Sequence, residues 1–275
     1  MKNDWRLKLR LLGVRGSIPT PDRQNLGYGG NTSCVEIRTP DGGLFIIDAG
    51  SGIRTLGPEL AHSLDKQHVH LFFSHFHWDH IQGLPFFGPL YDPARPITLY
   101  SSKYSAPLRE TLAGQMIAPY FPVKFDYVAS GLKFVDLTSE THHFGELTIT
   151  PFEMNHPQGA GGYRIEHQGA VIVYATDREH GDARLDRVLR DYAQDADILI
   201  HDAQYTPEEY QKFKGWGHST WVEALSVARD ANVEQVILVH HDPSHDDGKV
   251  TEIVECAREQ FDNVIGGCEG WSISI

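Results

Sequence analysis

Short apolar segments recur along the chain and alternate with stretches of helical periodicity. Apolar and β-branched runs indicate strands, whereas apolar residues three and four positions apart indicate helices. The pattern predicts strands at Leu7–Leu12, Cys34–Arg38, Leu44–Asp48, His70–Ser74, Ile97–Tyr100, Leu147–Phe152, Ala170–Ala175, Ile198–Ile200 and Gln235–Val239. It predicts helices at Ile53–Leu64, Ala106–Ala113, Asp182–Tyr192, Thr220–Ala231 and Val250–Phe261, with Ser219 or Thr220 as a cap and Glu223 in the first turn. This alternation is typical of an α/β fold.

Polar residues follow several of the predicted strands at the point where each strand ends. The exits are Asp48, Ser74-His75, His156, Asp177, His201-Asp202 and His240-His241. In α/β folds the loops after the carboxyl ends of strands gather at one edge, and sites are built there. A polar residue can follow a strand simply because the chain reaches the solvent there. That alternative would account for one or two of these exits, but not for the whole set. We therefore expect one site lined with histidine and aspartate.

Length and composition indicate an ordinary globular protein. The chain has 275 residues, of which 40% are hydrophobic, and no internal repeat. An α/β enzyme of this length often forms one domain, so we expect a single domain over residues 1–275. No apolar stretch approaches the ~20 residues that span a bilayer, and the N-terminal segment lacks the features of a signal peptide. We expect a cytoplasmic protein without membrane partners.

Charge and cysteine content narrow the classes of partner. The formal net charge is −13, whereas nucleic-acid affinity comes largely from Lys and Arg that neutralise phosphates. We therefore expect a small-molecule substrate and no long nucleic acid. Cys34, Cys256 and Cys268 are odd in number and widely spaced, which predicts no disulfide framework.

The strongest chemical signal is Ser74-His75-Phe76-His77-Trp78-Asp79-His80, directly after a predicted strand. Its HxHxDH spacing places four side chains that bind metals within six residues. They can surround two metals only if the backbone turns as it leaves the strand, and Gly83 just beyond is compatible with that turn. Histidine is the commonest metal ligand in proteins, so the motif predicts a metal site.

These residues resemble the signature of the metallo-β-lactamase superfamily, and the resemblance extends over nearly the whole chain. It is also carried by Gly13–Ser17 with Pro19 and Pro21, Asp48-Ala49-Gly50, His156, Tyr174–Asp177, and His240 after Val236–Val239. The fold that this resemblance implies is a four-layer αβ/βα sandwich. Two sheets would pack between outer helices, with the site along one edge.

The resemblance also implies two divalent metal ions. One would be held by His75, His77, His156 and Asp177, and the other by Asp79, His80, His240 and Asp177. Three or four nitrogen and oxygen ligands with room for water are the pattern of a catalytic site. We expect zinc, with manganese or iron as the alternatives. His77 counts against the related diiron oxygen-reducing proteins, which carry Glu at that place.

Two of these assignments have alternatives. His241 competes with His240, but the 22-residue step from His218 (240 − 218 = 22) matches the family's spacing and favours His240. Asp48 either orients a ligand histidine or stabilises the turn before Gly50.

Gly217-His218-Ser219-Thr220, after Ile198–Ala203, resembles the phosphodiesterase branch of the superfamily, which includes tRNase Z. The resemblance gives His218 the role of proton donor to a phosphoryl or leaving oxygen, with Asp202 in support and Asp79 as the third catalytic residue. The alternative for His218 is a structural place at the helix start.

The resemblance to tRNase Z has one departure. That enzyme commonly has a long insertion between the third histidine and the bridging aspartate, whereas here the two are 21 positions apart (177 − 156 = 21). The compact arrangement, with Tyr28–Cys34 and His240–Pro243, looks more like phosphoribosyl cyclic phosphodiesterase and the cyclic-nucleotide phosphodiesterases of bacteria.

We therefore expect a two-metal hydrolase that opens a small, cyclic nucleotide-like phosphodiester with a hydroxide bridging the metals. The alternatives are a thioester or lactone hydrolase of the same fold and a non-catalytic metal or nucleotide sensor. The resemblance allows a homodimer. The aromatic segment 84–127 could stack on a base, pack in the core or form a dimer surface, and Arg164 could meet a substrate phosphate or form a surface ion pair.

Overall fold

The structure is a computed structural model that describes residues 4–63, 66–129 and 131–275. Its strands are β1 Lys8–Gly13, β2 Cys34–Arg38, β3 Leu44–Ile47, β4 Val69–Phe73, β5 Ile97–Ser102, β6 Leu132–Leu137, β7 His142–Phe144, β8 Leu147–Met154, β9 Ala160–His167, β10 Ala170–Ala175, β11 Ile198–Asp202, β12 Gln235–Val239, β13 Val264–Gly266 and β14 Ser272–Ser274. Its α-helices are α1 Leu56–His62, α2 Trp78–Ile81, α3 Leu108–Gln115, α4 Asp126–Ala129, α5 Ala183–Ala193, α6 Pro207–Phe213, α7 Trp221–Asp230 and α8 Asp247–Arg258. Short 3₁₀ helices lie at Arg23–Asn25, Ser51–Thr55, Leu84–Phe86 and Gly88–Tyr91.

The strands form two sheets of seven. The first has the order β14-β1-β2-β3-β4-β5-β6, and the second has the order β13-β12-β11-β10-β9-β8-β7. In each sheet an antiparallel part leads into a parallel part. β1, β2 and β3 are antiparallel neighbours, and β3 to β6 are parallel. Likewise β7 to β10 are antiparallel, and β10 to β13 are parallel.

Three apolar clusters separate the layers. Alternate residues of a strand point to opposite faces, so Phe45 and Ile47 of β3 join one cluster whereas Leu44 and Ile46 join another. The first of these clusters contains residues of both sheets and therefore lies between them. The second packs β3, β4 and β5 against α1 and α3, and a third packs β10, β11 and β12 against α5, α7 and α8. The result is the predicted α/β fold, a four-layer αβ/βα sandwich.

All nine predicted strands are present, with ends shifted by at most two residues. The predicted helix Ile53–Leu64 is wrong at its start, because Ser51–Thr55 form a 3₁₀ helix and α1 begins at Leu56. Pro58 then lies in the first turn of α1, where its missing N–H costs no hydrogen bond. The predicted end at Leu64 lies outside the described residues.

The other helices also differ at their ends. Val250–Phe261 is wrong by three residues, because the Asp246 carboxylate accepts a hydrogen bond from Lys249 N and starts α8 at Asp247. Ala106–Ala113 is shifted by two residues, to α3. Asp182 caps α5, and Thr220 is the residue that caps α7. Among the described residues, no helix is both long and apolar enough to cross a membrane.

Candidate metal centre

The predicted ligands from both sheets meet at the carboxyl ends of the parallel strands. The loop after β4 and the short helix α2 carry the HxHxDH motif, while the second sheet supplies His156, Asp177 and His240. Their nitrogen and oxygen atoms form three groups, each with all ligand atoms within 4.8 Å of one another. The groups are His75, His77 and His156; Asp79, His80, Asp177 and His240; and Asp177, Asp202, His218 and His240.

Asp177 lies between the two predicted sets of ligands. Its Oδ1 is 3.8 Å from His75 Nε2 and 4.0 Å from His156 Nε2. The same carboxylate approaches the other set, with Oδ2 3.0 Å from His80 Nε2 and Oδ1 3.3 Å from His240 Nε2. This is the position that a carboxylate shared by two metals would occupy.

Each of the five histidines has one ring nitrogen hydrogen-bonded to an oxygen outside the cluster. The pairs are His75 Nδ1 with Ser74 Oγ (3.1 Å), His77 Nε2 with Gln158 Oε1 (3.0 Å), His80 Nδ1 with Asp48 Oδ2 (2.8 Å), His156 Nδ1 with Gly217 O (2.8 Å) and His240 Nδ1 with Gln204 Oε1 (2.8 Å). An imidazole that donates from one nitrogen keeps a lone pair on the other. The acceptors thus leave five lone pairs directed at one another, which is the arrangement that metal ligation requires.

Asp48 has both of the roles considered for it. Its carboxylate accepts from His80 Nδ1 and also from Ser74 N and Ser74 Oγ, each at 2.8 Å. Tyr174 Oη adds a fourth hydrogen bond of 2.7 Å from the second sheet. Asp48 therefore orients a histidine and stabilises the turn after β3 at the same time.

The donor set and its charge fit divalent cations. Nε2 of His75 and Nε2 of His80 are buried and make no hydrogen bond to any described residue. Burial lowers the pKa of His75 well below its usual value. Burial also acts to lower the pKa values of His80 and His240, but Asp177 and Asp79 outweigh it and raise them, in His240 to about 9. The carboxylates thus attract positive charge into the cluster, and two metal ions would supply it.

Glycines allow the chain to pass close behind two of the histidines. A Cβ on Gly217 would collide with the His156 ring, and the residue has a φ of 90°. A Cβ on Gly16 would collide with the His240 ring. Ser17, the next residue, donates from its backbone N to Asp79 Oδ2 at 2.8 Å. The loop after β1 is therefore part of the site.

His218 and Asp202 form a hydrogen-bonded pair beside this cluster. His218 Nδ1 lies 2.9 Å from Asp202 Oδ2, and the His218 ring stacks on His240 with centroids 4.8 Å apart. Asp202 also accepts from the backbone N of Asp177 at 3.1 Å and of Ser219 at 3.0 Å. Since Thr220 caps α7, His218 is not needed to begin that helix.

Two other residues that were considered for functional roles have structural roles instead. His241 Nε2 donates to Gly267 O at 3.0 Å, and burial lowers the pKa of His241 to about 3. Arg164 donates to the carbonyls of Tyr192 and Gln194 and pairs with Glu166 at 2.9 Å. Neither side chain belongs to the cluster.

Sequence reasoning missed the residues that accept hydrogen bonds from the candidate ligand histidines, such as Gln158 and Gln204. Gln204 and Gln158 stand in no recognisable motif, and nothing in the pattern singled them out. Gly16 and Gly217 did carry a signal, because each stands in a motif that the resemblance had already quoted. Of the aromatic segment, Phe87 and Tyr100 lie in the core, whereas Phe86 and Tyr120 are exposed.

A cavity of about 360 Å³ opens onto the cluster. It is lined by Ser17, Phe76, His77, Trp78, Asp79, Asp177 and His218. No lysine or arginine is among these residues, so the cavity offers no cationic side chain to a chain of phosphates.

Comparison with known proteins gives a family and several relatives. Residues 44–241, more than half of the chain, match the family described as Beta-lactamase superfamily domain. The Ribonuclease Z of Lachnospira eligens is 25% identical over 319 aligned positions, which cover 98% of this chain and 98% of that protein. The Ribonuclease Z of Bacillus cereus is 27% identical over 307 positions, covering 92% of this chain and 94% of the relative.

Solved structures share the architecture at lower identity. The metallo-beta-lactamase fold protein YhfI of Bacillus subtilis has a TM-score of 0.74 and 17% identity, covering 99% of this chain and 100% of YhfI. A diphosphatase from the PhnP family has a TM-score of 0.72 and 19% identity, covering 98% and 97%. Zinc-bound PqqB of Methylobacterium extorquens has a TM-score of 0.70 and 16% identity, covering 98% and 100%. The two-sheet fold is common to all three.

Proposed function

The chain belongs to the beta-lactamase superfamily, and on that premise we propose that it is a metal-dependent phosphodiesterase acting on small, cyclic nucleotide-like substrates. The observation that carries the proposal is the His218–Asp202 pair, 2.9 Å apart, beside two groups of metal-binding side chains. Relatives named Ribonuclease Z and a structural neighbour named as a diphosphatase support chemistry at phosphorus.

The metal ligands follow from the two groups around Asp177. We propose that His75, His77, His156 and Asp177 hold one divalent ion and that Asp79, His80, His240 and Asp177 hold the other. Two such ions would make a water molecule more acidic and offset the negative charge that develops on the phosphoryl group. Zinc suits nitrogen and oxygen ligands, and the zinc in PqqB supports that choice over manganese or iron.

His218 would move the proton. Its Nδ1–H is engaged by Asp202, which fixes the orientation of the ring and would stabilise it as an imidazolium, whose Nε2–H would then be donated to the departing oxygen. Asp202 in turn is held by the backbone N–H groups of Asp177 and Ser219. The proton donor and the shared ligand Asp177 are thus tied to the same carboxylate.

Three features favour a small substrate over RNA. The cavity is lined without lysine or arginine, and the net charge is −13. Between His156 and Asp177 the chain forms only β9 and β10, joined by a tight turn at Gln168 and Gly169. The relatives named Ribonuclease Z argue in the opposite direction, so RNA belongs in the test.

The first experiment measures turnover by the purified protein, loaded with zinc or manganese. The substrates are bis-p-nitrophenyl phosphate, 2′,3′- and 3′,5′-cyclic nucleotides and a tRNA precursor. We expect cyclic nucleotides to be hydrolysed and activity to vanish with a chelator or with Asp177→Ala. His218→Ala should lower kcat by roughly 10²–10⁴-fold, Asp202→Asn by less, and His143→Gln, at an exposed site on β7, should not change it.

Other outcomes would redirect the assignment. Cleavage of the tRNA precursor in preference to every cyclic nucleotide would show that the small-substrate proposal is wrong. If no phosphodiester is cleaved with both metals bound, the phosphodiesterase proposal fails, and thioesters and lactones come next. Tight metal binding without turnover of any ester would indicate a sensor.

A further inference from the structure

Trp78 is an exposed aromatic residue in the wall of the candidate site. Its side chain is 64% exposed, although the neighbouring Asp79 and His80 are buried. Tryptophan is highly buried on average, so an indole left open beside a catalytic cluster calls for a reason. The cavity that contains Trp78 also contains His77, Asp177 and His218.

Most of this indole is open to solvent. Among the described residues, no aromatic ring stacks on Trp78, whereas nearby Phe76 packs against Phe73 with centroids 5.6 Å apart. Phe76 thus packs against the core cluster and also lines the cavity. Trp78 follows His77 directly and begins α2, so the backbone that positions the ligands also positions the indole.

We infer that Trp78 stacks on the nucleobase of the substrate and so sets its preference for nucleosides. The inference rests on the proposed function, since it names what the phosphodiester carries. Aromatic side chains stack on any base, because every base has a π-face. No lysine or arginine lines the cavity, and Trp78 is the exposed aromatic side chain of its lining, so it offers an apolar face to the part of the substrate away from phosphorus.

Trp216 provides a matched control. It is 63% exposed and lies two residues before His218, but it does not line the cavity, and its ring contacts Phe213 with centroids 5.2 Å apart. A general effect of losing an exposed tryptophan near the site would therefore appear in both variants. An effect of base stacking would appear only at Trp78.

The experiment compares an adenosine cyclic phosphate with the methyl riboside cyclic phosphate, which has the same ring phosphodiester but no base. We expect Trp78→Ala to lower the ratio of the two kcat/KM values about tenfold or more, mainly through KM for the nucleotide. Trp78→Phe should keep most of the preference, and Trp216→Ala should keep all of it. An unchanged ratio in Trp78→Ala would overturn the inference.

A binding measurement separates this inference from the proposed function. Quenching of tryptophan fluorescence by AMP should occur in the wild type and in Trp216→Ala and should be lost in Trp78→Ala. If the wild type hydrolyses neither cyclic phosphate, the proposed cyclic-nucleotide substrate is wrong, yet AMP quenching that depends on Trp78 would still support the stacking site. The stacking inference would be overturned if AMP still quenched the fluorescence of Trp78→Ala, or if AMP did not quench the fluorescence of the wild type.

Discussion

Gln204 shows how much of the candidate site depends on residues outside the proposed ligand set. Its Oε1 accepts from His240 Nδ1 at 2.8 Å, while its Nε2 donates to Asp242 Oδ2 at 3.3 Å and to Tyr205 Oη at 3.2 Å. The amide can accept from only one side, so these contacts determine which nitrogen of His240 keeps its proton. Gln204 therefore sets the tautomer of a proposed ligand.

Replacing Gln204 should weaken metal binding without unfolding the protein. Gln204→Leu removes the acceptor for His240, and loss of such a partner typically costs 10–100-fold in metal affinity. Gln204→Glu keeps an acceptor at the same place and should lose much less. Competition with a chromophoric zinc chelator measures both variants, and equal affinity of Gln204→Leu and wild type would contradict this role.

At this scale the sequence predicted which residues converge but not what holds them. The HxHxDH spacing and the polar strand exits identify the donors, because these residues are close in sequence or follow strands that share an edge. Their partners are remote: His80 and Asp48 are 32 positions apart, and His156 and Gly217 are 61 apart. Only the folded chain brings such pairs together.

The elements of the fold were predictable where burial leaves a pattern. β3 and β10 are buried along their whole length and read as apolar runs. β6 was missed because most of its residues are partly or fully exposed, and β13 and β14 have only three residues each. The helix α6 (Pro207–Phe213) was missed despite a visible signal, since Thr206 and Glu209 form a capping box at its start.

The start of α5 depends on one carboxylate. Asp182 accepts hydrogen bonds from Arg184 N and Leu185 N, both at 3.0 Å. Asp182→Ala should lower the free energy of unfolding by about 1 kcal/mol, measured by urea denaturation. Asp191→Ala, near the other end of the helix, is the control and should cost less. An unchanged midpoint for Asp182→Ala would show that the cap does not limit stability.

The candidate metal centre draws its residues from both sheets of the molecule. Its proposed ligands come from the loop after β4 in the first sheet and from the ends of β8, β10 and β12 in the second. A metal that binds only the folded chain stabilises it by about 2.7 kcal/mol at a hundredfold excess over Kd. Zinc should therefore raise Tm of the metal-free protein by about 5–10 °C. Asp177→Ala should show a much smaller rise, and an equal rise would place the zinc elsewhere.

Lowering the pH should weaken the packing between the two sheets, because it favours protonation of His70. This residue of β4 stacks on Phe45 and lies 2.9 Å from Tyr100 Oη. Burial, helped by His68, lowers the pKa of His70 from 6.5 to about 4. Above pH 6.5 the His70 ring is neutral in both the folded and the unfolded protein. Between pH 6.5 and about 4 the unfolded chain binds a proton at His70 that the folded chain does not bind, so protonation favours unfolding.

The free energy of unfolding should therefore fall across that interval, by about 1–2 kcal/mol from His70, because solvent screens the partly exposed ring. His70→Gln cannot titrate, so its stability should fall less steeply between pH 6.5 and 4. His143→Gln, on exposed β7, serves as the comparison. Parallel curves for His70→Gln and wild type, from urea denaturation at each pH, would contradict the assignment.

The strand order of the first sheet returns in the second. Strands β1 to β6 and β8 to β13 follow one plan, in which the third strand of each run begins the parallel part. Asp48 lies one residue after the end of β3 and Asp177 two residues after the end of β10, and both have left-handed backbone, with φ of 62° and 58°. This correspondence is what duplication of an ancestral half would leave, although no sequence repeat survives. One aspartate now steadies a histidine, and its counterpart lies among the donors. Cleavage of the chain at the exposed segment around Ser139 would yield two fragments, each with an incomplete set of donors. Zinc binding that appears only when the two fragments are mixed would show that they associate.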